Sequence, residues 1–262
     1  MAETISVKSI VINGIRIELM ELGEGRPLLF LHPAIGIEPD APVLHRLAAR
    51  ARVIAPIHPG FGGSEVPKSF DTVDDLAYFY LDVIQELDLA EVALVGVSFG
   101  GWIAAEIAIK STQRISHLVL ANPVGIKVGG REHRDIADIF AMNETDFLSI
   151  AYHDPDAGKR DYKTMPDAQV RNAARNREAT ARYAWSPFMH DPKLKGRLHR
   201  IKIPTLFLWG AADRITSEAY GRAYCAAIPG ARFETIAKAG HFPHIEQPDE
   251  FARKISAFTE GR

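Results

Sequence analysis

The sequence predicts an α/β fold: a mostly parallel central sheet flanked by helices, with a helical segment inserted between two strands. Three observations carry this. Short runs at 27–32, 52–57, 92–97, 117–121 and 205–210 are apolar at nearly every position rather than at every second one, with a more mixed run at 232–237, as expected of strands in a sheet covered on both faces. Helix-period patterns at 41–50, 72–87, 99–110, 216–227 and 248–258 fall between and after them. From 123 to 200 this rhythm stops. No run there reads as a buried strand, charges are frequent, and short helical patterns are separated by Pro155, Pro166, Pro187 and Pro192.

In chain order, two alternating segments come first, 5–12 and 15–22, joined by Asn13-Gly14. That dipeptide between alternating runs predicts an antiparallel hairpin. The strand and helix patterns then alternate up to 122 and resume at 201, so the expected organisation is a core from 1–122 and 201–262 with a helical cap at 123–200. A chain of 262 residues with 47% hydrophobic content can bury such a core as one unit. There is no internal repeat or low-complexity tract.

Charge and cysteine content narrow the function classes. A formal net charge of -2 creates no general field to recruit nucleic acid or an anionic membrane, so a small-molecule partner is expected. Cys225 is the sole cysteine, which excludes an intramolecular disulfide and a thiolate metal cluster and suits a reducing compartment. The opening MAETISVKSIVING carries Glu3 and lacks the apolar stretch of a secretory signal, and no window has the uncharged length of a bilayer span. A soluble cytoplasmic protein is expected; nothing in the sequence indicates its oligomeric state.

The chemistry is concentrated in three places. In Gly96-Val97-Ser98-Phe99-Gly100 a hydroxyl stands between two glycines where a buried strand meets a helix, the pattern of a nucleophile elbow. A helix N-cap would also favour serine there, but it does not account for the flanking glycines. A serine hydroxyl needs a base and a group to orient that base. Asp213 follows the strand in LFLWGAADRIT and His241 follows the last strand in AKAGHFPHIEQPDEF. Asp135 is a rival acid, and Asp213 could instead cap a turn. His241 and His244 form an HxxH pair, a weak metal signal because the general-base glutamate of H-E-x-x-H is missing. His32 and His58 each end a strand and are read as satisfying local backbone groups.

Taken in order, the hairpin, LFLHPAIG, HPGFGGS, the elbow, WGAADR and AGHFPHIEQPDEF resemble the α/β-hydrolase fold family over nearly the whole chain. The resemblance implies a serine hydrolase with catalytic Ser98, His241 and Asp213, an oxyanion hole, a helical cap at 123–200, and no metal or organic cofactor. One departure matters. The family usually has His-Gly after its third strand, whereas this chain has His32-Pro33 followed by Ala34. Proline has no N–H, so the amides of Ala34 and Phe99 are the expected oxyanion donors.

The reaction so implied is cleavage of a carboxylic ester or related acyl compound through an acyl-enzyme. The alternative within the fold is hydrolysis of a carbon–carbon bond beside a ketone; in that group tryptophan often follows the histidine, where this chain has Phe242, and a cap arginine holds the substrate's acid. A ligand-binding receptor on the same fold is a further alternative. Serine at position 98 argues against a dehalogenase, which would use aspartate. On a helix, Arg171, Arg175, Glu178 and Arg182 share a solvated stripe, while Arg177 falls among Val170, Ala174, Ala181 and Ala184. An arginine on an apolar face requires an anion or several acceptors, either a structural carboxylate or a substrate acid. Arg177, Trp102, Trp185 and Phe242 are the candidate substrate-binding residues, with Phe140, Phe147 and Phe188 as further aromatic walls.

Overall fold

The computed structural model describes residues 5–261; Glu3 and the first residues of the 1–122 segment lie outside them. Eight strands form one sheet: β1 (Val7–Ile12), β2 (Ile15–Leu22), β3 (Pro27–Leu31), β4 (Arg52–Pro56), β5 (Val92–Val97), β6 (Ile115–Ala121), β7 (Thr205–Gly210) and β8 (Arg232–Ile236). Their spatial order is β1-β2-β4-β3-β5-β6-β7-β8. The hairpin is as expected: β1 and β2 pair antiparallel with Ile12 opposite Ile15, and Asn13 and Gly14 have φ of 47° and 79°. A two-residue turn with both φ values positive matches the twist of the strands it joins. Strand β2 meets β4 antiparallel, and every pair from β4 to β8 is parallel. The central strands β5 and β7 are buried at every residue, which is why their runs do not alternate.

The helices are α1 (Pro42–Ala48), α2 (Val73–Glu86), α3 (Phe99–Lys110), α4 (Glu144–Ala151), α5 (Asp167–Ala184), α6 (Leu194–Arg197), α7 (Glu218–Ala226), α8 (Pro243–Glu246) and α9 (Pro248–Glu260). Their ends follow local chemistry. Thr72 and Asp75 form a reciprocal capping box that starts α2, and Pro42 and Pro248 occupy first-turn positions where a missing N–H does no harm. Helix α3 is buried at every position except Lys110, packed between α2 and the sheet.

Between β6 and β7 the chain contains α4, α5, α6 and two 3₁₀ turns, Pro155–Gly158 and Leu198–Arg200, and no sheet strand among the described residues. Pro155 opens the first turn, and Pro166 stands at the N-terminal boundary of α5. The expected rotation of α5 is wrong. Ala174 is exposed, Val170 and Ala181 are half-buried, and the face turned inward carries Asn176, Ala179, Thr180, Tyr183 and Ala184. Arg175 also leaves the predicted solvated stripe and donates to the Ser64 carbonyl at 2.8 Å. The reason is physical: α5 docks largely by hydrogen bonds onto loop carbonyls and amides, and hydropathy carries no record of those partners.

Candidate active site

The elbow is a steric device. Ser98 has φ 52° and ψ -112°, a conformation that L-residues avoid unless the surroundings enforce it. Its neighbours leave no room for a side chain. A Cβ on Gly96 would lie 2.3 Å from the Gly100 carbonyl oxygen, and one on Gly100 would lie 2.1 Å from that of Leu31. The turn therefore depends on glycine at both places. Ser98 stands at the N-cap position of α3 yet makes no capping hydrogen bond. Its Oγ points instead to His241, 2.7 Å from Nε2.

Strand ends bring the remaining groups together. His241 Nδ1 lies 2.8 Å from Asp213 Oδ2, so Asp213, His241 and Ser98 form a continuous hydrogen-bonded chain across the carboxyl edge of the sheet. Asp213 is held on all sides. Its Oδ1 accepts from the Ile215 and Thr216 amides at 2.8 and 3.2 Å, and its Oδ2 from Thr216 Oγ1 at 2.8 Å and Asn122 Nδ2 at 2.7 Å. Asn122 follows β6 directly and also accepts from the Gly210 amide at 3.0 Å, tying the loops after β6 and β7 together. Asn122 and Thr216 were missed at the sequence level; an asparagine ending a buried strand was the available signal.

Asp135, the rival acid, belongs elsewhere. It accepts from Lys127 Nζ at 2.9 Å and from the Val128 and Gly129 amides at 2.9 and 3.0 Å. Burial opposes its ionisation, but these donors hold its carboxyl below the usual carboxylate range. It bonds none of the three residues of the chain described above.

Behind the loop after β3 lies a layer of two stacked histidines, with ring centroids 3.6 Å apart. His32 Nδ1 donates to the Pro33 carbonyl at 2.8 Å, and its Nε2 accepts from the His58 amide at 3.1 Å. His58 Nε2 donates to the His32 carbonyl at 2.9 Å, while Nδ1 faces the Tyr80 hydroxyl. Burial keeps both rings neutral, pushing His32 down to about 4 and His58 well below its ordinary value. The local reading of both histidines is what the structure shows, and it has a consequence for the loop. The Pro33 carbonyl also accepts from the Gly36 amide at 2.9 Å. Carbonyl and N–H of a trans peptide point in opposite directions, so pinning the Pro33 oxygen also fixes the direction of the Ala34 N–H. That N–H donates to no acceptor among the described residues, and the Phe99 amide, first in α3, has no intrahelical one.

Ser98, Asp213 and His241 are 3%, 7% and 2% exposed, so the group is closed off from bulk water. Between α4 and α5 lies a cavity of about 320 Å³ lined by Ala34, Ile35, Phe140, Phe147, Tyr152 and Arg177; Ala34 and Ile35 are its link to the loop beside Ser98, while Ser98, His241 and the expected substrate-binding Phe242 do not line it. Arg177 faces this cavity, with its guanidinium 5.0 Å from the Phe140 ring centroid and a hydrogen bond to the Phe140 carbonyl at 3.3 Å. Arg160 lines the cavity as well; it sits in an irregular turn where no periodicity marked it. Phe242 lies between the group and the cavity wall, 5.0 Å from the His241 ring and 5.2 Å from that of Tyr152.

The two candidate tryptophans, Trp102 and Trp185, do not line this cavity. Trp102 is buried along α3, donates to Glu106 Oε1 at 3.3 Å, and borders a separate space beside Ser186 and Asp191. Trp185 is 60% exposed at the end of α5 and stacks edge-on against Phe140. Phe188 likewise packs on Phe140 without reaching the cavity. Helix position decides this: aromatics near the site in sequence turn away from it once α3 and α5 are rotated into place. His244 is fully enclosed, its ring against Phe30, Phe242 and Phe251, and burial lowers its pKa to about 3.

The model of the alpha/beta hydrolase family matches residues 28–254. The chain belongs to that family. Among curated proteins it is 27% identical to a 2-hydroxymuconate semialdehyde hydrolase of Pseudomonas putida, over 96% of this chain and 93% of that protein. It is 24% identical to a 3-oxoadipate enol-lactonase of Acinetobacter baylyi, with 90% of each covered. Among solved structures, a meta-cleavage product hydrolase from Pseudomonas fluorescens superposes with a TM-score of 0.75 at 20% identity, covering 97% of both chains. A naproxen esterase from Bacillus subtilis gives 0.76 at 17% identity, over 97% of this chain and 91% of that one. These structural likenesses establish the fold. Among the described residues no helix is long and apolar enough to cross a membrane.

Proposed function

We propose that this hydrolase cleaves a carboxylic ester or related acyl compound of a small molecule through an acyl-enzyme on Ser98. The observation that carries the reading is the unbroken chain from Asp213 Oδ2 through His241 to Ser98 Oγ, with steps of 2.8 and 2.7 Å. In this mechanism His241 Nε2 takes the hydroxyl proton as Ser98 attacks the carbonyl, then returns it to the leaving group. Asp213 keeps the imidazole in the tautomer with Nδ1 protonated and stabilises the imidazolium that forms. The Ala34 and Phe99 amides receive the oxyanion, and the positive end of α3 adds to them. Water then repeats the cycle on the acyl-enzyme. Residues 123–200 act as a cap that excludes bulk solvent, with the 1–122 and 201–262 segments as the catalytic core. The single Cys225 fits a reducing cytoplasmic setting.

Two observations favour a second reading. Arg177 faces the cavity, and the Pseudomonas putida relative is named for hydrolysis of a semialdehyde. A substrate carrying a carboxylate, cleaved at a carbon–carbon bond beside a ketone, would use the same Ser98 and His241 with Arg177 on its acid. A receptor on this fold would turn over neither compound. The test is hydrolysis of p-nitrophenyl butanoate beside the Ser98→Ala variant. Turnover that falls by ~10⁴ or more in the variant supports the acyl-enzyme; equal rates in the two folded proteins would remove it.

A further inference from the structure

Asn176 occupies a position where its residue type is a disadvantage. It lies in the middle of the 18-residue helix α5 and is buried, and asparagine there is a poor helix former with four hydrogen-bonding sites to satisfy. Its partners explain the choice. Nδ2 donates to the Ile35 carbonyl at 3.1 Å, and Oδ1 accepts from the Gly62 amide at 2.9 Å. One side chain thus bridges the loop after β3 and the loop after β4.

These two contacts lie on opposite sides of a partition. Ile35, like Ala34, lines the first cavity. Gly62 lines a second cavity, also of about 320 Å³, whose walls include Met20, Gly36, Ile37, Ile57 and Gln169. Asn176 is the residue common to both linings. The loop presses directly on it: a Cβ at Gly36, which has φ +84°, would lie 2.3 Å from Asn176 Nδ2. No space for a substrate chain is left between side chain and loop.

We infer that Asn176 is a specificity-determining residue that walls off the side of the substrate cavity next to Ile35, so that the enzyme accepts compact substrates and rejects chains long enough to need the second cavity. This rests on the acyl-hydrolase reading above and adds the size class of the substrate to it. Truncating the side chain removes the one residue common to both linings and would join the two spaces. The newly opened wall offers Met20, Ile37 and Ile57 to an alkyl chain, with Glu18 and Glu38 also on its lining.

The experiment measures kcat/KM along two series, p-nitrophenyl alkanoates and n-alkyl butanoates from four to ten carbons, in the wild type and in Asn176→Ala, Asn176→Ser and Asn176→Leu. Ala and Ser shorten the side chain, whereas Leu keeps its bulk and loses both hydrogen bonds. In Ala, or in Ser if Ala does not fold, the ratio of the ten-carbon to the four-carbon substrate rises about tenfold or more in one series. In Leu the ratio stays at the wild-type value even though its melting temperature falls. An unchanged ratio in both shortened variants, or an equal shift in Leu, overturns the partition. Absence of Ser98-dependent turnover across both series in the wild type overturns the acyl-hydrolase reading instead.

Discussion

The sheet edge and the helical segment above it are held by different means. At the edge, Ser98 and His241 are set largely by backbone: the φ of 52° at Ser98, the glycine approaches at Gly96 and Gly100, and the His241 amide donating to the Ala151 carbonyl at 2.7 Å. Helix α5 is fastened through side chains: Arg175 to the Ser64 carbonyl, Asn176 to that of Ile35, and Tyr183 to that of Pro59. Backbone restraints cannot be changed one residue at a time without disturbing the turn. Side-chain restraints can. The hydrolytic group is therefore expected to tolerate almost no substitution, while the residues that define the cavity can be exchanged with moderate effects on rate.

The largest test of this contrast lies at the edge. Asp213→Asn accepts and donates in altered directions and leaves His241 in the wrong tautomer, so kcat should drop by about 10⁴ with circular dichroism unchanged. Asp135→Asn loosens the loop around Lys127 and keeps kcat near wild type. If Asp135→Asn is the crippled variant, the acid has been misassigned. Next comes the Ala34 amide: Ala34→Gly retains the N–H and should be mild, whereas Ala34→Pro removes it and should lower kcat by roughly 10² to 10³. A folded Ala34→Pro protein with normal kcat would move the second donor elsewhere in the loop.

A smaller effect tests the buried layer behind that loop. His32, with its pKa lowered from 6.5 to about 4, stays neutral in the folded protein while the unfolded chain takes up a proton near pH 6.5. Its contribution is complete above pH 6.5 and is lost as pH falls towards 4, because the unfolded state binds more protons in that window. Between pH 6.5 and 5 this amounts to about 2 kcal/mol. His58 and His244, both lowered by burial, act in the same direction. Urea midpoints at pH 7, 6 and 5 measure it, and a midpoint that does not move between pH 7 and 5 would contradict the buried neutral layer. The smallest effect belongs to the segment. Arg177 is exposed on one side, so Arg177→Ala should cost about tenfold in kcat/KM for carboxylate-bearing substrates and spare neutral esters. Equal losses on both would assign Arg177 to structure alone.

The strands, the hairpin, the elbow and the positions of Asp213 and His241 were legible in the sequence because each rests on a local requirement. A strand covered on both faces must be apolar throughout, a primed turn needs residues tolerant of positive φ, and a strand-to-helix turn at Ser98 needs glycines that a neighbouring carbonyl can touch. The expectation for the Ala34 amide has a related basis, since Pro33 has no N–H to offer. What the tertiary structure alone decided is the assignment of faces and partners. Asn122 holds Asp213 from a loop 91 residues away, and His32 and His58 fix the Pro33 peptide through contacts between two strand ends. Helix α5 turns Asn176 inward because the Ile35 carbonyl and the Gly62 amide are there to receive it. Trp102 and Trp185 turn away from the cavity because α3 and α5 satisfy other neighbours first. Periodicity along a chain reports how apolar a face is, whereas a hydrogen-bond partner 114 or 141 residues away exists only once the sheet has brought both loops to one edge.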